Sequence, residues 1–194
     1  MNPLSSRRKV LIVSDSDTFF ENISSILPKE QFNPVIHASN GGEARRKLLE
    51  CDADLLLIDC PLTDEHGVLF AENFSETNMG ILLLVNADMY DEVCSKVEDQ
   101  GIITLPKPNS PQIFYMAVKM LSAMTLRLEK METKNRTLQE KMTDIRIINK
   151  AKWMLIENKK MSESEAHHFI EKKAMDERLS RREAAERIIE KYEL

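Results

Sequence analysis

The strongest constraint on the fold is a series of short apolar runs in the first half of the chain. Four runs lie at residues 9–13, 55–58, 81–85 and 102–103, and a weaker one lies at residues 34–37. They are rich in Val, Ile and Leu and too short for buried helices, as expected of strands covered on both faces of a parallel sheet. The pattern therefore predicts five parallel strands.

Segments with helical spacing separate these runs. The alternation of strand and helix over about 120 residues predicts a doubly wound α/β domain with helices on both faces of the sheet. In such a domain the ligand site lies at the carboxyl ends of the strands. The apolar positions that predict the helices are Phe19, Ile23, Ile26 and Leu27, then Ala44, Leu48 and Leu49, then Val93 and Val97.

Composition excludes several classes of protein. Apolar residues make up 42% and charged residues 30% of the chain, which excludes an intrinsically disordered protein. No apolar stretch approaches the roughly 18 residues of a membrane-spanning helix, and the run at residues 10–13 is too short for a secretory signal. The cysteines are odd in number and lack paired metal spacing, so we expect reduced thiols in a cytoplasmic protein.

Charge divides the chain into two parts. Residues 1–121 carry 10 basic and 18 acidic residues, a net charge of −8, whereas residues 122–194 carry 17 basic and 14 acidic residues, a net charge of +3. This asymmetry predicts two modules with different partners. The alternative is that the surfaces of ordinary helices simply vary in charge.

Polar side chains follow the predicted strands at the edge where a ligand is expected. Asp15, Asp59, Asn86 and Lys107 come after the first, third, fourth and fifth runs. Two carboxylates and an ammonium group at one edge suit Mg²⁺ and a phosphoryl group, because oxygen ligands hold the ion and a carboxylate can be the nucleophile. The alternative is that these polar residues only terminate the strands.

These segments resemble the receiver domain of two-component systems over residues 7–122. The matches are Val-Leu-Ile-Val-Ser-Asp at 10–15, Leu-Ile-Asp-Cys-Pro-Leu-Thr-Asp-Glu-His-Gly at 57–67, and Leu-Pro-Lys-Pro at 105–108. The resemblance implies a flavodoxin-like α/β fold with a five-stranded parallel sheet, a cis peptide bond before Pro108, and a sensor histidine kinase as a partner.

The resemblance also implies a reactive site and a cofactor. It makes Asp59 the phosphoryl acceptor, with Lys107 and Asn86 beside it. It implies that the cofactor is Mg²⁺, held at Asp15, Asp59 and Pro61.

Three positions depart from the receiver pattern. Ser14 stands where the family has the first of two adjacent acids, Asn86 replaces a Thr or Ser, and Thr104 replaces the aromatic switch residue. Losing one acid weakens Mg²⁺ binding, because affinity follows ligand charge. Two interpretations stay open: a working phosphorylation site, or a degenerate one.

From Met116 onward the sequence predicts a long helix with a narrow apolar stripe. A heptad that starts at Leu121 continues for three to four repeats with charged flanks, which predicts a dimeric coiled coil over residues 116–150. The alternative is an amphipathic helix that packs on its own receiver. The a positions are Leu121, Leu128, Asn135, Met142 and Asn149, and the d positions are Met124, Met131, Leu138 and Ile145.

The remaining residues predict a small three-helix domain. Ser162 with Glu165, and Ser180 with Glu183, have the spacing of capping boxes that open two short helices. The segment 139–193 resembles the ANTAR domain, an RNA-binding antiterminator module. The matches are Ile-Asn-Lys-Ala-Lys-Trp-Met-Leu at 148–155, Met-Ser-Glu-Ser-Glu-Ala-His at 161–167, Lys-Ala-Met-Asp at 173–176, and Ala-Glu-Arg-Ile-Ile at 185–189.

The ANTAR resemblance has two departures and a functional consequence. Trp153 stands where a Gly is common, and His167 where a Tyr or Phe is usual. The resemblance implies a dimeric, non-enzymatic antiterminator that binds hairpins in nascent RNA. The alternatives are a protein-interaction module that binds no nucleic acid and, less favoured, DNA binding by the last two helices. The candidate RNA contacts are Arg146, Lys150, Lys152, Lys173, Arg178, Arg181 and Arg182.

Overall fold

The computed structural model describes residues 7–192, which form two compact units, one ending at Lys130 and the other beginning at Met131. The strands are β1 (Arg8–Val13), β2 (Phe32–Ala38), β3 (Leu55–Asp59), β4 (Gly80–Asn86) and β5 (Ile103–Lys107). The helices are α1 (Asp17–Ile26), α2 (Gly41–Glu50), α3 (Gly67–Glu72), α4 (Tyr90–Val97), α5 (Pro111–Lys159), α6 (Glu163–Glu177) and α7 (Arg181–Tyr192).

The first unit is the predicted doubly wound domain. Its five strands are parallel and lie in the order β2-β1-β3-β4-β5. The predicted fold class is therefore confirmed. The carboxyl ends of all five strands lie at one edge, because every strand runs in the same direction.

The sheet is buried on both faces, which explains the continuous apolar runs. Leu11 and Val13 belong to one core cluster with Ala44, Val68 and Val93 from α2, α3 and α4. Alternate strand residues point to the opposite face, where they meet α1 and α5. The members of that second cluster include Val10, Ile12, Ile23, Phe114 and Val118.

Two details of the helices differ from the predictions. The sequence pattern named no apolar positions for the six-residue helix α3, because it is too short to show a helical period before the chain enters β4. Leu49 was predicted on the buried face of α2, but it is 90% exposed. Leu48, its neighbour, supplies the contact with the core instead.

The first turns of α5 belong to the first unit. Phe114, Val118 and Leu121 are buried in its core. A side chain at Gly80 would place its Cβ 2.8 Å from Leu121 Cγ, so α5 crosses the start of β4 closely. The prediction that Leu121 opens the coiled-coil stripe is therefore wrong, and the alternative of packing on the receiver holds for this part of the helix.

An ion-pair cluster holds the same helix at the opposite edge of the sheet from Asp59. The Arg8 guanidinium donates two hydrogen bonds to the Glu129 carboxylate, at 2.6 and 3.0 Å, and one to Asp54 at 2.9 Å. Arg8 is only 7% exposed. The hydrogen bond with Glu129 is the main reason that the pKa of Arg8 lies above its ordinary value.

The second unit has a small helical core of its own. The end of α5 contributes Ala151 and Leu155, which are completely buried with Ala166 and Ile170 of α6 and Ala184 of α7. Both predicted capping boxes are present: the Ser162 and Ser180 hydroxyls accept from the backbone N–H groups of Glu165 and Glu183, whose carboxylates accept in return. Within residues 7–192, no helix has the length and apolar character to cross a membrane.

Candidate functional site

The carboxyl edge of the sheet brings Asp59, Lys107 and Asn86 together. Asp59 ends β3 and Lys107 ends β5, and the Lys107 ammonium donates to Asp59 Oδ1 at 2.5 Å and to the Cys60 carbonyl at 2.6 Å. Asn86 ends β4 directly beside Lys107 in the strand register. The Asp59 side chain is 12% exposed, so the carboxylate lies in a shallow recess that solvent reaches. The peptide bond before Pro108 is cis, as expected.

Ser14 takes the place of the missing acid and contacts Asp59 directly. Its hydroxyl donates to Asp59 Oδ2 at 2.9 Å and accepts from the Ser16 backbone N–H at 3.2 Å. Ser14 is completely buried. Both oxygens of the Asp59 carboxylate are therefore hydrogen-bonded, one to an ammonium group and one to a hydroxyl. The sequence showed that an acid was missing here, but not that its replacement donates a hydrogen bond.

The oxygen donors at this edge suit Mg²⁺ only in part. Asp15 and Pro61 are exposed after β1 and β3, so Asp15, Asp59 and the main chain at Pro61 offer the hard oxygen ligands that Mg²⁺ prefers. Among the described residues, however, no three His, Cys, Asp or Glu side chains form a group able to hold a metal. The donor set therefore suits weak binding, because Ser14 adds no negative charge.

Two buried residues near the site, Thr104 and Cys60, have polar side chains that take no part in its hydrogen bonds or reactivity. Thr104, at the position of the aromatic switch residue, is 8% exposed, and its hydroxyl has no hydrogen-bond partner within the described part of the chain. Burial raises the pKa of the Cys60 thiol to about 12. A thiol with that pKa carries almost no thiolate at neutral pH, so Cys60 is not a competing nucleophile.

The middle of α5 is exposed on every side. All residues from Lys130 to Thr143 are exposed. The predicted stripe residues Leu128, Met131, Leu138, Met142 and Ile145 are each more than half exposed. An apolar stripe on a helix that its own chain does not cover is typical of a surface for a partner helix.

The candidate RNA contacts differ in how far neighbouring acids already engage them. Lys152 is only 16% exposed and pairs with Glu163 at 3.0 Å, a partner that the sequence pattern did not identify. Within residues 7–192, Arg146 and Arg178 form no ion pair, and both are exposed. Lys150 is also exposed. The remaining pairs are Lys173 with Glu177, Arg181 with Glu171, and Arg182 with Asp144 and Glu186.

The turn between α6 and α7 gathers three of these arginines. Arg178 caps α6 in the left-handed conformation, with φ of 55°, and Arg181 and Arg182 open α7. Glu171, Met175, Arg178 and Arg181 line a cavity of about 470 Å³ there. A cavity of this size can accommodate an unpaired nucleotide, and the positive charge beside it can contact the phosphate.

Comparisons with known proteins agree with this division of the chain. The model of the response regulator receiver domain family matches residues 10–119, and the model of the ANTAR domain matches residues 136–189. The transcriptional regulatory protein PdtaR of Mycobacterium tuberculosis is 23% identical over 184 residues, which cover 94% of this chain and 90% of that protein.

Solved structures show the same fold for the first unit. The chemotaxis response regulator CheY4 of Vibrio cholerae is 21% identical with a TM-score of 0.53, covering 60% of this chain and 99% of that one. A CheY-like receiver domain protein of Methanospirillum hungatei is 22% identical with a TM-score of 0.57, covering 63% and 98%. The sheet edge with Asp59 and Lys107, the receiver match over more than half of the chain and the ANTAR match lead to one conclusion: the chain belongs to the response regulator family and joins a receiver domain to an ANTAR domain.

Proposed function

We propose that this response regulator is a transcription antiterminator that binds hairpins in nascent RNA as a dimer. The observation that carries the proposal is the arginine cluster at the α6–α7 turn of the basic, ANTAR-matched unit, in which Arg178 and Arg181 are exposed. Nascent RNA is cytoplasmic in bacteria, so the protein would act in the cytoplasm. Its only covalent chemistry would be acceptance of a phosphoryl group, and it would not be an enzyme.

RNA binding would use the basic residues in two ways. Arg178 forms no ion pair within residues 7–192, so it can meet a phosphate without first losing a carboxylate partner. Lys173, Arg181 and Arg182 would exchange a glutamate or aspartate for RNA phosphates, because their present ion pairs are at least partly exposed and therefore weak. Lys152 would act mainly by holding Glu163 and the start of α6.

The dimer would form through the exposed stripe of α5. Two parallel copies would bury Leu128, Met131, Leu138 and Met142, which a single chain leaves in water. With the predicted heptad, Arg127 of one copy faces Glu132 of the other, and these opposite charges favour the parallel arrangement. The receiver and ANTAR modules would span residues 7–122 and 139–193, and within the predicted segment 116–150 the coiled coil would be confined to the part of α5 beyond Leu121.

Phosphorylation of Asp59 by a sensor histidine kinase would be the control step. The Asp59 carboxylate would attack the phosphorus atom of the kinase's phosphohistidine, and the bond from that phosphorus to the imidazole nitrogen would break, which releases the kinase histidine. Lys107 would neutralise the added charge, and the Asn86 amide would donate to a phosphoryl oxygen. A Mg²⁺ ion held weakly by Asp15, Asp59 and Pro61 would supply charge neutralisation when bound. Ser14 leaves this site one negative charge short of the family pattern, so we expect slow phosphorylation.

Mobility shift with the full chain tests the RNA assignment. We expect binding to hairpin RNA from a random-loop library, little binding to duplex DNA of equal length, and about tenfold weaker RNA binding by Arg178→Gln. Arg46→Gln, at an exposed arginine of α2 in the receiver, is the matched control and should bind RNA like the parent. Equal binding to both nucleic acids would contradict the assignment, and binding to neither would support the protein-interaction alternative.

A further inference from the structure

Trp153 is a large aromatic side chain that the fold leaves in water. It is the one tryptophan in the sequence, it lies near the end of α5, and it is 65% exposed. A tryptophan buries roughly 150–250 Å² when it is packed, so its exposure gives up a large apolar stabilisation. Ala151 and Leu155, two residues to either side, are completely buried in the core of the second unit.

The helix directs Trp153 away from that core. At about 100° per residue, Trp153 lies about 160° around α5 from both Ala151 and Leu155. No small shift of the helix could bury the indole without removing these two residues from the core. Its exposure is therefore built into the sequence, and the same face is open to a partner.

The residues beside Trp153 are basic and polar. Arg146, seven positions earlier, lies within about 20° of the same direction, and Lys150, three positions earlier, lies within about 60°. Asn149, four positions earlier, lies about 40° to the other side of Trp153. Arg146, Asn149 and Lys150 are all exposed. Earlier along the helix the exposed stripe is apolar, with Leu138, Met142 and Ile145. The exposed face therefore changes after Ile145 from aliphatic to basic and aromatic.

Charge argues against a second protein copy on this part of the face. In the parallel dimer, Lys141 of one copy would face Arg146 of the other, and like charges at these flanking positions repel. The corresponding pair nearer the receiver, Arg127 with Glu132, is attractive. Pairing of the two helices is therefore favoured before Met142 and opposed beside Arg146. An anionic ligand with flat apolar rings suits the Arg146–Trp153 face better.

We propose that Trp153 stacks on an unpaired base of the bound RNA while Arg146 and Lys150 contact its phosphates. This inference rests on the proposed RNA-binding function and adds a second contact surface to the arginine cluster of the α6–α7 turn. Unpaired loop bases expose their faces, and indole rings stack on them with little dependence on base identity. The surface would therefore contribute affinity more than sequence preference.

The experiment uses the full chain, a labelled hairpin RNA from the random-loop library and three variants. Trp153→Phe keeps an aromatic ring, whereas Trp153→Leu keeps an apolar side chain without one. We expect Trp153→Leu to bind the hairpin about ten- to a hundredfold more weakly and Trp153→Phe to stay within a fewfold of the parent. Arg146→Gln should weaken binding and reduce its salt dependence. Sedimentation should give the same dimer for all variants.

Fluorescence gives an independent measurement. Because the chain has one tryptophan, fluorescence that is excited selectively from tryptophan reports on Trp153 alone. We expect quenching when the hairpin is added and none when the protein is only concentrated. Parent-like RNA binding by Trp153→Leu overturns the inference while leaving the proposed function intact. If the parent's emission changed with protein concentration and the Trp153→Leu variant were monomeric, Trp153 would lie in the dimer interface instead. Failure of the parent to bind any hairpin would remove the proposed function and this inference together.

Discussion

At the scale of single residues, Ser14 helps to determine how the Asp59 carboxylate is held. Its hydroxyl donates to one Asp59 oxygen while Lys107 donates to the other. In place of a second acid, the site therefore has a neutral hydroxyl, which donates to Asp59 Oδ2. A bound Mg²⁺ ion would have to share that oxygen with the Ser14 hydroxyl. The lower negative charge reduces attraction for Mg²⁺, and the metal normally screens the nucleophile from an incoming anion.

We predict slow, incomplete labelling of Asp59 by a small phosphodonor and faster labelling of Ser14→Asp in the presence of Mg²⁺. The added carboxylate supplies the missing ligand charge. Ser14→Asn introduces a side chain of the same size as Asp but without its charge, so this variant should show no Mg²⁺-dependent gain in labelling. Mass spectrometry of the intact chain measures the labelled fraction. Fast and complete labelling of the parent would mean that another group already supplies the ligand.

Arg8 carries a second residue-scale prediction. Replacing it by Met leaves the Asp54 and Glu129 carboxylates without their shared cation, at a cost of about 2 kcal/mol in the free energy of unfolding of the receiver. Arg7→Met is the matched control, since Arg7 is exposed and adjacent. Urea unfolding followed by circular dichroism measures the difference. Equal urea midpoints for the two variants would show that the ion-pair cluster of Arg8 does not stabilise the receiver against unfolding.

Sequence patterns could place some of these residues and not others. Asp59 and Lys107 follow apolar runs, and parallel strands bring such positions to one edge, so their proximity was predictable. The partners of Arg8 lie 46 and 121 residues away. No local period links them, so only the folded arrangement shows that this basic residue is structural.

At the scale of elements, α5 has one regular spacing of apolar residues, but these residues face the receiver core at its start and water further along. Phe114, Val118 and Leu121 face the receiver core, and Met124 and Leu128, at similar spacing, face water. A three-and-four spacing cannot tell a core stripe from an intermolecular one, which explains the wrong assignment of Leu121. The sequence did predict the helix itself, because Gly and Pro are absent throughout that segment.

Replacing Asn135 by Leu tests the intermolecular stripe. Asn135 occupies an a position, so Leu should tighten dimerisation about tenfold or more while relaxing the register. Thr137→Leu, about 160° around the helix, adds the same side chain away from the stripe and should leave association unchanged. Sedimentation equilibrium of the full chain measures both. A strictly monomeric parent at high micromolar concentration, or equal gains for both variants, would contradict the coiled coil.

At the scale of the whole molecule, the chain combines an acidic receiver with a basic helical unit. The net charges of the two parts, −8 and +3, predicted separate partners, and the structure has two compact units. Alternation of apolar runs predicted the sheet because both of its faces are covered. Charge alone could not rank the candidate RNA contacts, because several basic side chains already pair with acids of their own unit.

The most direct test of a dimeric, hairpin-binding antiterminator compares one RNA that carries two hairpins with an RNA that carries only one. Two linked binding domains make the second contact intramolecular, so the full chain should bind the two-hairpin RNA about a hundredfold more tightly. Titration of each labelled RNA at one salt concentration measures the ratio. We expect this gain for the parent dimer. Equal affinity for the two RNAs would contradict the account, because it would mean that a dimer does not engage paired hairpins.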